Sequence, residues 1–120
     1  TWVGPNELHD LKKKDQIGVL GHGAFFENDS PILDAKTYFS FLAWLNRKDQ
    51  KIVDIEVLAL REDFPVSNAK TPALCNVAFG TGLVIFSKPS REYAELYAGI
   101  GDSIQAFVPI NNPKIVYLYE

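Results

Sequence analysis

The longest uncharged run in the chain, residues 71–87, constrains the fold more than any other feature. Within it the stretch NVAFGTGLVIFSK, residues 76–88, carries Val77, Phe79, Leu83, Val84, Ile85 and Phe86. Such β-branched and aromatic side chains fit a pleated, buried surface. Ser87, Pro89 and Ser90 then supply a stop. The stretch is expected as buried sheet, two strands meeting at the bend Gly80-Thr81-Gly82.

A chain of 120 residues with 47% hydrophobic and 22% charged residues has ordinary globular composition. It is long enough for one domain that buries roughly two-thirds of its unfolded surface. The expected division is an N-terminal arm over residues 1–15 and a single α+β domain over residues 16–120. Formal charge is -3 with a pI near 5.3, which argues against nucleic acid, where Lys and Arg must neutralise phosphates. The one basic cluster, Lys12, Lys13 and Lys14, reads as solvated. No apolar run reaches membrane-spanning length, so no membrane association is expected. Cys75 is the only cysteine, so no internal disulfide forms and a cytoplasmic location is expected. Flanked by Leu74 and Val77, it reads as a buried, inert thiol. The sequence contains no Met, which makes Thr1 an expected trimmed or processed end.

Residues 16–27, QIGVLGHGAFFE, read as strand, kink, strand about Gly21 and Gly23. The Gly-x-Gly pair is not a dinucleotide fingerprint, because Phe26 stands at the third glycine position and no helix starts there. Asn28, Asp29, Ser30 and Pro31 form a turn, and Ser30 or Asp34 can cap a helix expected from about Asp34 to Arg47. At helical spacing Ala35, Tyr38, Phe39, Leu42 and Leu45 share one face, which leaves Phe41 and Trp44 outside it. Residues 51–60 read as a strand with Val53, Ile55, Val57 and Ala59 on a buried face and Asp54 and Glu56 on a wet one. Residues 61–72 form a surface loop long enough to suggest a contact role. A second helix is expected from about Ser90 to Ala98, closed by Gly99. Strands are expected over residues 104–110 and 115–119, joined by the turn Asn111-Asn112-Pro113-Lys114.

The two halves then run in parallel, each a βαβ unit about a Gly-x-Gly. Two such units make a ferredoxin-like split β-α-β sandwich, an antiparallel sheet with two helices on one face. On that fold Phe41 and Trp44 form surplus aromatic surface, bordered by Asp54, Glu56, Glu62 and Asp63. Aromatic anchors with a charged rim suit a protein interface. The primary expectation is a non-catalytic interaction domain of inhibitor, immunity or assembly-factor type. Its partner would be a protein, basic by charge complementarity, and a homodimer would use the same surface. The alternative is a small metal-dependent hydrolase acting on a phosphodiester. Asp54 and Glu56, about 6.6 Å apart along a strand, would hold the cation, with His22 available for acid–base work. A third reading places a small ligand against the Gly80–Gly82 bend. No triad, metal quartet or phosphate loop stands in the sequence, so no cofactor is expected.

Overall fold

The computed structural model describes residues 1–11, 15–85 and 94–110. These residues form seven strands: β1 (Trp2–Leu11), β2 (Gln16–Phe26), β3 (Lys36–Asn46), β4 (Ile52–Ala59), β5 (Asn76–Ile85), β6 (Ala94–Ile100) and β7 (Ile104–Ile110). Their only helical segments are two 3-10 turns, Arg61–Asp63 and Pro72–Leu74. The chain is therefore all-β in its described part, and the ferredoxin-like α+β expectation is wrong. The expected strand at 115–119, its preceding turn and the lysine cluster lie outside the described residues.

The first four strands form an antiparallel meander, β1-β2-β3-β4, and the last three form a second, β5-β6-β7. A short parallel pairing joins them, Thr37 with Asn76 and Tyr38 with Val77. Between the meanders lies the core, in which Leu20, Leu42, Trp44, Ala78, Leu83, Leu96, Ala98 and Ile100 are buried.

The segment expected as a helix is β3, and the reason for the error is physical. Its even-numbered residues, Tyr38, Ser40, Leu42 and Trp44, face the second meander. The odd-numbered ones, Phe39, Phe41, Ala43 and Leu45, lie on the opposite face by strand alternation. A strand apolar on both faces loses the period-2 signal and imitates a helix with too wide an apolar arc. Its content of Thr, Tyr, Phe and Trp favours the strand. Residues 94–98, expected to end the second helix, belong instead to β6, where Ala94, Leu96, Ala98 and Ile100 alternate inward.

Glycines let aromatic rings lie flat on the first meander. A Cβ at Gly21 would stand 2.6 Å from Phe41 Cζ, and one at Gly23 would collide with the Phe39 ring. The pair thus seats side chains within a continuous strand, rather than marking the expected kink. Across the core, a Cβ at Gly80 would fall on Ser40 Oγ, so β5 approaches β3 closely there.

Residues 2–11, expected as a lead-in, form the edge strand β1. Pro5 is tolerated because it stands beside a register shift between Pro5 and Glu7. β1 also ties the meanders together. Asn6 Nδ2 donates to Gly80 O at 2.9 Å, and Leu83 N donates to Glu7 Oε2 at 2.9 Å.

β4 occupies its expected place with its faces exchanged. Val53, Ile55 and Val57 are 56%, 54% and 52% exposed, whereas Asp54 and Glu56 are half-buried. Register explains the inversion: Asp54 pairs with Trp44 and Glu56 with Leu42, on the side of the second meander. The opposite face of the first meander is apolar and open, with Val3 and Leu8 also exposed.

Candidate functional site

β3 changes neighbour along its length, pairing with β5 at residues 37–38 and with β4 from Ser40 onward. A cleft of about 760 Å³ lies at this change of partner. Phe25 from the end of β2, Thr37 and Phe39 from β3, Val57 from β4, and Cys75 and Asn76 at the start of β5 form its walls. Leu60, Arg61, Glu62, Phe64 and Val66 complete it from the 60–75 connection.

That connection is braced from within. Phe64 is buried and anchors it in the core. The Arg61 guanidinium donates through Nη1 to Phe64 O and Pro65 O at 3.4 and 3.1 Å, and through Nη2 to Ser67 Oγ at 3.4 Å. Arg61 Nε is buried without a hydrogen-bond partner. Among the described residues no carboxylate forms an ion pair with Arg61, although Glu62 lines the same cleft.

A carboxylate sits behind the polar wall. Glu27 Oε1 accepts from Thr37 Oγ1 at 2.5 Å and from Asn76 Nδ2 at 2.6 Å. These bonds, Thr37's first, hold the Glu27 carboxyl below its ordinary range against a smaller opposing effect of burial. The cleft thus combines aromatic walls, a guanidinium, and hydroxyl, amide and carboxylate groups. Pockets of this kind take a small polar molecule with apolar faces.

The six residues expected to form one partner-binding surface are dispersed. Trp44 is 3% exposed and belongs to the core, while Phe41 lies half-buried on the opposite face of β3. The two share no surface, because in a strand odd and even positions diverge. Asp54 and Glu56 sit at the margin of the core on β4, and Asp54 Oδ1 accepts from Ile55 N at 2.9 Å. Asp63 Oδ2 accepts from Leu60 N at 2.8 Å, closing the 3-10 turn. Glu62 alone of the six lines the cleft.

The residues of the metal alternative are not brought together either. β3 separates His22 on β2 from Asp54 and Glu56 on β4. Among the described residues no three His, Cys, Asp or Glu side chains gather as a metal group. His22 is a structural bridge: its Nδ1 lies 2.7 Å from Asn6 Oδ1, and its ring packs on Phe79 at 4.8 Å. Cys75, expected buried, is exposed at the cleft. Sequence reasoning missed Phe25, Glu27, Thr37, Arg61 and Asn76. The one signal pointing toward them was the length of the 61–72 loop.

Two face-packed antiparallel meanders define the all-β fold of the described residues, and solved structures share that fold. The chain belongs to the DUF1861 family, described as "Protein of unknown function (DUF1861)", which matches residues 1–115. No curated protein matches it. Among solved structures it is similar to MPT-4, a mannose phosphorylase from Leishmania mexicana determined in complex with phosphate ion. The TM-score is 0.81 and the identity 25%, over 93% of this chain and 34% of that one. It is also similar to MPT-1, a GDP-Man-dependent mannosyltransferase from Leishmania mexicana, at TM-score 0.78 and 24% identity, covering 93% of this chain and 35% of that one. A hypothetical protein from Leishmania major matches at TM-score 0.74 and 22% identity, covering 94% and 35%. These last two likenesses concern the fold alone. The chain spans about a third of the length of each of these structures. The likeness to a mannose phosphorylase contradicts the expectation of a non-catalytic interaction domain. Among the described residues no helix is long and apolar enough to cross a membrane.

Proposed function

We propose that this chain forms part of an enzyme of the sugar phosphorylase type acting on mannose-containing substrates, and that the Arg61 cleft handles sugar and phosphate. The observation that carries the reading is the likeness to the mannose phosphorylase, 25% identical along 93% of this chain at a TM-score of 0.81. The cleft's chemistry supports it. Phosphorolysis breaks the bond between a sugar's anomeric carbon and its exocyclic oxygen. A phosphate oxygen bonds to that carbon and the departing oxygen takes a proton. Such a site needs a cation for phosphate, apolar walls for the faces of a sugar ring, and groups that pair with its hydroxyls. Arg61 is the cation, Phe25 and Phe39 are the walls, and Thr37, Asn76 and Glu62 are the hydroxyl partners.

Calorimetric titration with inorganic phosphate tests the assignment. Saturable binding is expected, weakened at least tenfold in Arg61→Gln, which removes the charge and keeps a polar side chain. Absence of phosphate binding, or equal affinity in a folded Arg61→Gln variant, would remove the role given to this residue.

A further inference from the structure

A second cleft, of about 370 Å³, lies on the other side of β3. Thr37 and Phe39 serve the first cleft, whereas Lys36 and Tyr38 serve the second, as strand alternation requires. Phe79 and Thr81 of β5, Gly99 of β6 and Asp102 of the β6–β7 turn line it as well. We propose that this second cleft is a separate binding site for a neutral pyranose ring, such as one unit of an oligosaccharide.

Gly99 is the first argument. Glycine inside a strand marks a bulge, a bend, or a place where a ligand or another backbone comes close. Neither ladder shifts at Gly99, which pairs with Phe79 on one side and Gln105 on the other. A Cβ there would meet nothing within 4 Å. Gly21, Gly23 and Gly80, by contrast, are covered by Phe41, Phe39 and Ser40. No atom of the described residues fills the space beside Gly99, which leaves room there for a ligand.

The lining gives the ligand's class. Tyr38 and Phe79 stand 5.9 Å apart, inclined at 60°, and present aromatic surface to the cleft. Their positions are fixed from behind. His22 stacks on Tyr38 at 5.9 Å, and Trp2 meets Tyr38 edge-on at 5.7 Å. Around this apolar floor stand Lys36, with Nζ 5.5 Å from the Phe26 ring centroid, and Asp102, whose Oδ2 accepts from Lys70 at 3.3 Å. The Thr81 hydroxyl donates to Tyr97 O at 3.2 Å, which turns its lone pairs outward for a donor. Asp102 is engaged by Lys70 and Lys36 lies over the Phe26 ring, so both charges at the rim are already held by the protein. An aromatic floor with donors and acceptors at its rim suits the C–H face and hydroxyls of a neutral sugar. Its volume is at the small end for ligand sites, enough for a single ring with its substituents.

Choosing mannose as the probe rests on the functional reading above, whereas the location rests on the cleft alone. Of the two tryptophans, Trp2 contacts Tyr38 and Trp44 is buried in the core. Tryptophan emission therefore reads the second cleft. Titration with methyl α-mannopyranoside is expected to give a saturable change. Gly99→Leu, which fills the space, should weaken binding at least tenfold and leave phosphate affinity unchanged. Asp102→Asn, whose residue tolerates the left-handed backbone at φ 54, should weaken sugar binding severalfold if Gly99→Leu does not fold. No saturable change in the parent chain, or sugar affinity unchanged in the folded variants, would overturn the proposal. So would loss of sugar binding in Arg61→Gln with Gly99→Leu unaffected, which would return the sugar to the first cleft. Failure of phosphate binding with sugar binding intact would count against the first cleft only.

Discussion

The close approach of the two meanders at Ser40 and Gly80 yields a sharp energetic prediction. Ser40 is 1% exposed and its Oγ has no hydrogen-bond partner. A methyl group at Gly80 would land on that oxygen, with Ser40 Cβ at 3.3 Å and Leu96 Cδ1 at 3.6 Å as the next neighbours. Gly80→Ala therefore overpacks the core and should cost about 1–3 kcal/mol. Ser40→Ala deletes an unsatisfied buried hydroxyl, so it should be close to neutral or stabilising. In the double variant the collision with Oγ is gone and only the 3.3 Å contact with the β-carbon remains, a matter of a few tenths of an ångström. Most of the Gly80→Ala loss should then return, giving a coupling energy of about 1–2 kcal/mol between the two positions. Equilibrium urea denaturation of the four proteins measures it. Additive effects, with the double variant as unstable as Gly80→Ala alone, would refute face-to-face packing of β3 against β5 at this point.

Two further predictions concern stability. Trp44→Ala should cost about 3–5 kcal/mol because the ring is enclosed between the meanders; a loss below about 1 kcal/mol in denaturant unfolding would contradict that position. Burial holds the His22 imidazole below its ordinary 6.5, so folding favours the neutral ring and the unfolded chain takes up the proton first. His22's contribution is thus complete above about pH 6.5 and declines as the pH falls through the lower folded-state value. Urea midpoints from pH 7.5 to 5 should fall for the parent chain and fall less for His22→Gln, and identical slopes would contradict the assignment.

Legibility in the sequence tracked how one-sided each element is. β5 and β7 stood out by their apolar and β-branched content and turn boundaries; β7 falls where the sequence places it, whereas β5 is one strand with a register shift between Gly80 and Gly82 in place of the expected two strands. β4 was legible as a strand but not in its orientation. Alternation identifies two faces, and only the register against Trp44 and Leu42 decides which one turns inward. β3 was misread because apolar residues on both faces erase the alternation that separates strand from helix. β1 was obscured by Gly4 and Pro5, residues an edge strand with a bulge accommodates. Of the candidate site, Glu62 and the long 61–72 connection were visible. Arg61, Glu27 and Asn76 were not, since their meeting depends on the short parallel pairing of β3 with β5, a long-range contact no local pattern encodes.

The proposal that the protein carrying this chain transfers sugar to phosphate is tested by watching phosphate itself. Phosphorus NMR of that protein mixed with inorganic phosphate and a mannose disaccharide should show the phosphate signal giving way to a sugar phosphate, more slowly when Arg61 is replaced by Gln. A phosphate signal unchanged over prolonged incubation with the intact, folded protein, across the α- and β-linked mannose disaccharides, would contradict the account.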